Sequence, residues 1–235
     1  MRKFMIAATL MMAVAVPVFA QDKQDPKERP EDNAAGYVSG VGGFATSVGN
    51  TTGDVGLEVG VRIAPHVMAF GNIGRFTDLQ GELQPTLSNA TASLLANQGL
   101  GVTGAGTLPA SFYQGGLRLE IPTGTRFLPY TLGAVGVAHL TPTPQFLFAS
   151  GFMPDGSTPT VGTDVTSTLV SAGALTTPGP SNAFMFTLGG GVQYPVIPHW
   201  VVDVGYRYSR IAADQTLSAS PINTNGMTFG FGYRF

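Results

Sequence analysis

The chain has 235 residues with a formal net charge of −2, 11% charged residues, no cysteine, 32 glycines and 17 prolines. An acidic balance without a basic cluster excludes nucleic acid as a partner class, and the lack of cysteine excludes disulfides, thiol chemistry and cysteine metal sites. So much glycine and proline also argues against long helices.

In chain order, Arg2 and Lys3 form a short basic region, Phe4 to Val18 an apolar run and Val18 to Ala20 a small-residue cleavage site. This three-part pattern predicts a secretory signal peptide over residues 1–20. Pro17 interrupts the run, which at about 15 residues falls short of the roughly 20 that a membrane helix needs. No later apolar run approaches that length, so insertion in a membrane would require a closed barrel. Without Arg2 and Lys3 the chain keeps 10 basic and 14 acidic residues. Eight of the thirteen residues in QDKQDPKERPEDN, 21–33, are charged, against 16 charges in the 202 residues that follow. The first stretch reads as a solvated linker and residues 34–235 as one domain.

Strand-like segments follow at Gly36 to Gly49, Gly53 to Ile63, His66 to Thr77, Ser111 to Ile121, Phe127 to Leu140, Ala183 to Tyr194, Trp200 to Ile211 and Asn225 to Phe235. Their 11 to 14 residues exceed the roughly five or six usual in soluble sheets and cover the about 9 to 11 of a tilted membrane strand. Successive side chains of a strand point to opposite sides, which gives the second segment one face of Val55, Leu57, Val59, Val61 and Ile63 and another of Asp54, Gly56, Glu58, Gly60 and Arg62. The fourth divides Tyr113, Leu117, Leu119 and Ile121 from Gln114, Gly116, Arg118 and Glu120. The sixth sets Phe184, Phe186, Leu188, Val192 and Tyr194 against Thr187, Gly189, Gly191 and Gln193, and the seventh sets Trp200, Val202, Val204, Tyr206 and Tyr208 against Asp203, Gly205, Arg207 and Ser209. The last sets Met227, Phe229, Phe231, Tyr233 and Phe235 against Thr228, Gly230, Gly232 and Arg234. Charges keep to the glycine-bearing face. The first, third and fifth segments alternate too weakly for their faces to be assigned. A soluble, lipocalin-like barrel would turn the apolar rows inward and a membrane barrel outward, a choice that alternation leaves open.

The links between segments alternate in length. APH, PTGTR and PVIPH are short, whereas Asp78 to Ala110, Thr141 to Asn182 and Ala212 to Thr224 are long; the link near Asn50 to Thr52 is also short. Short turns at one end and longer loops at the other are the asymmetry of an outer-membrane barrel. An even strand count puts both termini at the short-turn end, and a ten-stranded barrel recruiting part of a long loop is the alternative count.

The ending FGFGYRF resembles the C-terminal strand of outer-membrane β-barrel proteins, with a final phenylalanine and aromatics at alternate positions before it. GLEVGVRIAPHVMAFGNIGRF and PYTLGAVGVAHL resemble the small porin-like barrels of the OmpX type, over roughly Ala34 to Phe235. The resemblance implies an all-β, eight-stranded antiparallel up-and-down transmembrane barrel in a Gram-negative outer membrane, with residues 21–33 as a periplasmic linker and outer-membrane lipids around it. It implies that Phe229, Phe231, Tyr233 and Phe235 are the signal read by the barrel assembly machinery. It also places Glu58, Arg62, Arg118, Glu120, Asp203, Arg207 and Arg234 in the lumen, with Arg62, Glu120, Asp203 and Arg234 toward the periplasmic end. A charge-paired core is expected there, because an unpaired enclosed charge is costly. Tyr113, Tyr194, Trp200, Tyr206 and Tyr208 fall on outward faces, where aromatic girdles are expected.

Lipid A deacylases and proteases exist among such barrels, so catalytic candidates count. The only histidines are His66, His139 and His199. His66 and His199 sit beside prolines in short turns, and none has the deacylase His-x-Ser pattern; HLT at His139 is nearest. Glu58, Glu120 and Asp203 each have an arginine nearby, which suits an ion pair rather than a general acid. No phosphate-loop, HExxH or EF-hand spacing is present, so no metal or cofactor is expected.

Thr141 to Asn182 has no Lys, Arg or His and only Asp155 and Asp164 as charges, yet it carries the apolar FLFASGFM. Phe146, Phe148 and Phe152 are therefore expected to contact an extracellular protein or hydrophobic ligand, unless they pack onto their own loop. The function expected is a non-enzymatic structural or surface-interaction role. A narrow porin-like channel for small polar solutes or ions is the alternative, and a lipid-modifying enzyme the third reading.

Overall fold

The structure, a computed structural model, describes residues 34–47, 50–79, 83–213 and 220–235. The expected signal peptide at 1–20 and linker at 21–33 lie outside the described residues, as do Val48 and Gly49 of the first segment.

All eight alternating segments form barrel strands: β1 (Gly36–Ser47), β2 (Asn50–Ala64), β3 (Val67–Phe76), β5 (Ala110–Glu120), β6 (Leu128–Leu140), β8 (Ser181–Ile197), β9 (Trp200–Ala212) and β10 (Ile222–Arg234). They close in the order β1, β10, β9, β8, β6, β5, β3, β2. The closing seam pairs β1 with β10 antiparallel from Tyr37 opposite Arg234 to Ser47 opposite Thr224. Phe235 and Gly36 exchange backbone hydrogen bonds, both 3.0 Å, so the end of the last strand is tied into the seam. Closure leaves no barrel edge whose N–H and C=O groups lack partners.

Both Pro-His dipeptides make two-residue turns, between β2 and β3 at Pro65-His66 and between β8 and β9 at Pro198-His199. The histidines have φ of 61° and 69°. Proline presets the first turn position and a left-handed second position completes a type II turn, a conformation that histidine tolerates better than most side chains. The strand register shifts just before each turn, at Arg62/Ala64 and at Pro195/Ile197.

Two more strands, β4 (Leu100–Thr107) and β7 (Thr143–Gly151), and two helices, α1 (Leu83–Asn97) and α2 (Thr166–Ser171), arise within the long links. The extra strands do not enlarge the barrel to ten; they pair with each other in a separate two-stranded sheet. β4 follows β3 through α1 and leads into β5, while β7 continues β6, so this sheet prolongs the β5–β6 hairpin. Pro109 and Pro142 stand at the two junctions. Proline has no N–H to give to a ladder, and the arm leaves the barrel sheet there, held by Thr141 N–H donating to Pro109 O at 3.0 Å. The arm has its own core of Leu95, Leu100, Phe146, Phe148, Met153, Val165, Leu169 and Leu175.

Outward rows are apolar and exposed to the surrounding medium, from Val55, Leu57, Val59, Val61 and Ile63 on β2 to Met227, Phe229, Phe231, Tyr233 and Phe235 on the last strand and its end. The glycine-bearing faces point inward. In water such a surface would forfeit about 1.5 to 3 kcal/mol for each large side chain left uncovered, so hydrocarbon is its medium. Among the described residues no helix is long and apolar enough to cross a membrane, and the strands make the crossing.

Candidate functional site: a filled lumen and a folded loop arm

The lumen is stacked in layers, beginning at the end that holds Ala34 and Phe235. There Arg234 Nη2 donates to both oxygens of Glu120 at 3.0 Å, and Arg62 Nη2 reaches Glu120 Oε2 at 3.3 Å. Arg234 Nη1 donates to Gln193 Oε1 at 3.2 Å, and Arg62 Nε to Ala34 O at 2.8 Å. Arg62 comes from β2, Glu120 from β5, Gln193 from β8 and Arg234 from β10, so four strands supply these side chains near the short turns.

One layer higher, Glu58 accepts from Arg207 Nη2 at 2.8 Å and from the Tyr37 hydroxyl at 2.8 Å, with Arg118 Nη1 at 3.6 Å. Arg118 Nη2 donates to Asp203 Oδ2 at 3.3 Å, and the Tyr130 hydroxyl to Asp203 Oδ1 at 2.7 Å. Arg118 is 1% exposed; its Cζ lies 3.5 Å from the Tyr130 ring centroid and 5.2 Å from that of Tyr37. Met68, Phe70, Leu132 and Ala134 complete the wall. A cation so desolvated needs its two carboxylates and gains from the two ring faces. Glycine makes the space: a Cβ at Gly60 would strike the Tyr37 ring, and one at Gly191 or Gly205 would crowd the Tyr130 hydroxyl.

Neutral groups form the next layer. Thr187 Oγ1 donates to Gln114 Oε1 at 2.8 Å and lies 2.9 Å from Ser209 Oγ, and Gln114 Nε2 donates to Asn72 Oδ1 at 3.3 Å. Above them a cavity of about 20 Å³, lined in part by Asp54, Arg207, Thr224 and Thr228, is room for a single water molecule. The mouth at the loop end is then shut by apolar side chains, among them Phe76, Phe112, Leu140, Met185, Ile211 and Ile222 from the strands and Leu79 and Leu108 from the link. Leu79 N–H donates to Leu108 O at 2.7 Å, and Leu108 N–H to Asp78 Oδ1 at 2.8 Å, so the two ends of one link seal the mouth together.

The seven charged residues assigned to the lumen fall into two clusters, Arg62, Glu120 and Arg234 in one and Glu58, Arg118, Asp203 and Arg207 in the other. The sequence reading missed Tyr37 and Tyr130 and the apolar mouth. Tyr37 lies opposite Gly60 and Tyr130 opposite Gly191, a tyrosine-glycine pairing across strands that was visible only once register was known.

The other expected positions divide. Tyr113, Tyr194, Trp200, Tyr206 and Tyr208 all lie on the outer wall. Tyr206 and Tyr208 donate their hydroxyls to Asn225 and Asn223 at 2.9 and 2.8 Å, and Trp200 stacks on Phe231 with centroids 5.0 Å apart. Phe146 and Phe148 are buried in the arm's core and are removed from any outside contact, a correction to the expectation: strand alternation in β7 turns both inward. Phe152 is 71% exposed. His139 Nδ1 pairs with Asn182 Oδ1 at 2.8 Å and His199 Nδ1 with Arg234 O at 2.9 Å, in separate places. Among the described residues no cluster of three or more His, Asp or Glu could hold a metal ion.

In the arm, Asp164 accepts from Thr166 N–H at 2.9 Å and from the Thr166 hydroxyl at 2.6 Å ahead of α2. Asp155 accepts from Ser157 in the same way. The hydroxyl and amide bonds hold both carboxyls below the usual aspartate range.

A closed eight-stranded antiparallel barrel, apolar outside and polar at the heart, defines an integral outer-membrane β-barrel of the small porin-like class. The chain belongs to the outer membrane protein beta-barrel domain family, which it matches over residues 6–235. Among solved structures it is similar to Neisserial surface protein A, NspA, at 13% identity and a TM-score of 0.51, over 86% of this chain and 98% of that one. It is also similar to Ail, the attachment invasion locus protein of Yersinia pestis, at 12% identity and a TM-score of 0.44, over 86% and 97%. No curated protein matches the sequence.

Proposed function

We propose that this barrel is non-enzymatic and non-conducting, and that it serves to hold a folded arm at the cell surface for interaction with an extracellular protein or hydrophobic ligand. The observation that carries this reading is the arm itself: a sheet, two helices and a core outside the bilayer are more than closing eight strands requires. The lumen supports the non-conducting part, since ion pairs, neutral hydrogen bonds and apolar side chains fill it in succession and an eight-stranded interior is just wide enough to be filled. The pairing of Glu58, Glu120 and Asp203 with arginine supports the non-enzymatic part. Exposed apolar positions on the arm, Phe152, Val161 and Leu94, are the contact points this reading assigns.

The lumen network then acts as a structural core, the outer tyrosines and Trp200 as girdles, and Phe229, Phe231, Tyr233 and Phe235 as the row recognised by the assembly machinery. The test is insertion of the mature barrel in a planar bilayer. A closed trace is expected, and discrete conductance steps would establish the channel reading instead. Since the chain has no cysteine, Phe152→Cys supplies a single thiol, and an impermeant maleimide should label it on intact cells.

A further inference from the structure

We propose that the outer wall of the β5–β6 hairpin is a seat for one phospholipid of the periplasmic leaflet, its acyl chain lying in a groove on the hairpin and its phosphate on Arg126.

The groove measures about 340 Å³ and is lined by Gly115, Leu117, Leu119, Thr131, Gly133 and Val135, among others. These residues face outward, and register places Leu117 opposite Gly133 and Leu119 opposite Thr131. The groove runs from the middle of the barrel toward its periplasmic edge, along the path of a periplasmic-leaflet chain. Two of its glycines do not serve the backbone. A Cβ at Gly115 would come no closer than 3.6 Å to Phe70 O, and one at Gly133 no closer than 3.6 Å to Leu188 Cδ2, both ordinary contacts. Gly116, on the same strand but facing in, would clash with the Gly133 carbonyl and with Ala134. The outward glycines are thus free to carry side chains, and their bareness is what hollows the wall.

Charge singles out the occupant. Arg126 stands in the turn Pro122 to Phe127 of this same hairpin, exposed, below the groove's lower end. Its long stem can lie along apolar wall while the guanidinium stays at the headgroup level, where a phosphodiester offers the forked oxygen geometry that arginine matches. Phe127 stacks near Tyr194, centroids 5.2 Å apart, and marks that level as the interface.

The test uses the full mature barrel reconstituted in phosphatidylglycerol-phosphatidylethanolamine vesicles and extracted in mild detergent, with native mass spectrometry counting lipids per barrel. One retained phospholipid is expected. Arg126→Gln should lower retention about tenfold, the worth of one charge-assisted hydrogen bond, and Gly133→Leu should abolish it by filling the groove. Gly40→Leu, on the outer wall of β1 with only Phe231 O at 4.0 Å from its Cβ, should leave retention intact. Retention unchanged in Arg126→Gln overturns the proposal whatever the fate of Gly133→Leu. So does retention of lipopolysaccharide in place of phospholipid from native membranes, or a wild-type dimer that Gly133→Leu converts to monomer, which would give the groove to a second copy of the chain.

Discussion

Arg118 lies against the face of Tyr130, its Cζ 3.5 Å from the ring centroid, while the hydroxyl of that tyrosine binds the same aspartate, Asp203, that Arg118 binds. One side chain thereby holds the cation by its face and the anion by its tip. Removing Arg118 would leave Asp203 without its arginine, held only by the Tyr130 hydroxyl, and would take from Glu58 the second of its two arginines, in a wall of Met68, Phe70 and Leu132. We expect Arg118→Met to cost about 3 to 5 kcal/mol, as for breaking a buried pair by deleting one partner. Urea unfolding in detergent measures it, and an unchanged midpoint would show that the network is wet.

Lipid on the outer wall gives a prediction of opposite character. Leu57 is exposed halfway along β2, and an exposed leucine of a soluble barrel would accept arginine within about 0.5 kcal/mol. Here Leu57→Arg should cost about 2 to 4 kcal/mol, the penalty for a charge at the bilayer midplane. The reading is the urea midpoint of the variant refolded in vesicles.

The arm should fail separately from the barrel. Phe146 is buried at the centre of the arm's core, which contains no strand of the barrel proper. Phe146→Ala should remove about 3 to 5 kcal/mol from the arm. On a gel, the heat-modifiable shift of the intact barrel should persist while protease on whole cells cleaves between residues 83 and 175.

Acid should loosen the arm before the barrel. The Thr166 hydroxyl and amide favour ionised Asp164, so its folded pKa lies below its unfolded one. A depressed carboxyl contributes stability that is full above the unfolded value of about 4 and is lost as pH falls through the folded value. Hydrogen exchange in Thr166–Ser171 should therefore rise below about pH 4 while β5 and β6 stay protected. Asp164→Asn, which cannot titrate, should flatten this dependence.

The barrel was legible because its wall separates two media. In β2, β5, β8, β9 and β10 a charged or glycine-bearing row alternates with an apolar one, and strand, face and lumen charge all follow from the period. The third and fifth segments were illegible for a reason now evident. On β3, Met68, Phe70 and Phe76 face the lumen while Ile73 faces lipid, and on β6, Tyr130, Leu132 and Leu140 face inward against Val135 and Val137 outward. The apolar wall around Arg118 and the apolar mouth put hydrophobic residues on both sides of these strands and erase the contrast. The arm was illegible because α1, β4, β7 and α2 depend on one another across a large sequence distance, and Phe146 and Phe148 looked like an exposed patch until β4 and α1 were laid over them. Pro109 and Pro142 were visible, but as breaks, without saying what resumed beyond them.

The arm's place on the β5–β6 hairpin governs how it can be made. Thr107 faces Thr143 only a few residues beyond the pair Ala110 and Leu140, so once the hairpin has formed, the outer ladder closes by zipping onward and meets almost no new loop-closure entropy. On the extracellular side, where we propose that the arm stands, there is neither nucleotide fuel nor a nucleotide-driven chaperone to help it. A surface domain that grows as the tip of a strand pair already threaded through the membrane needs neither.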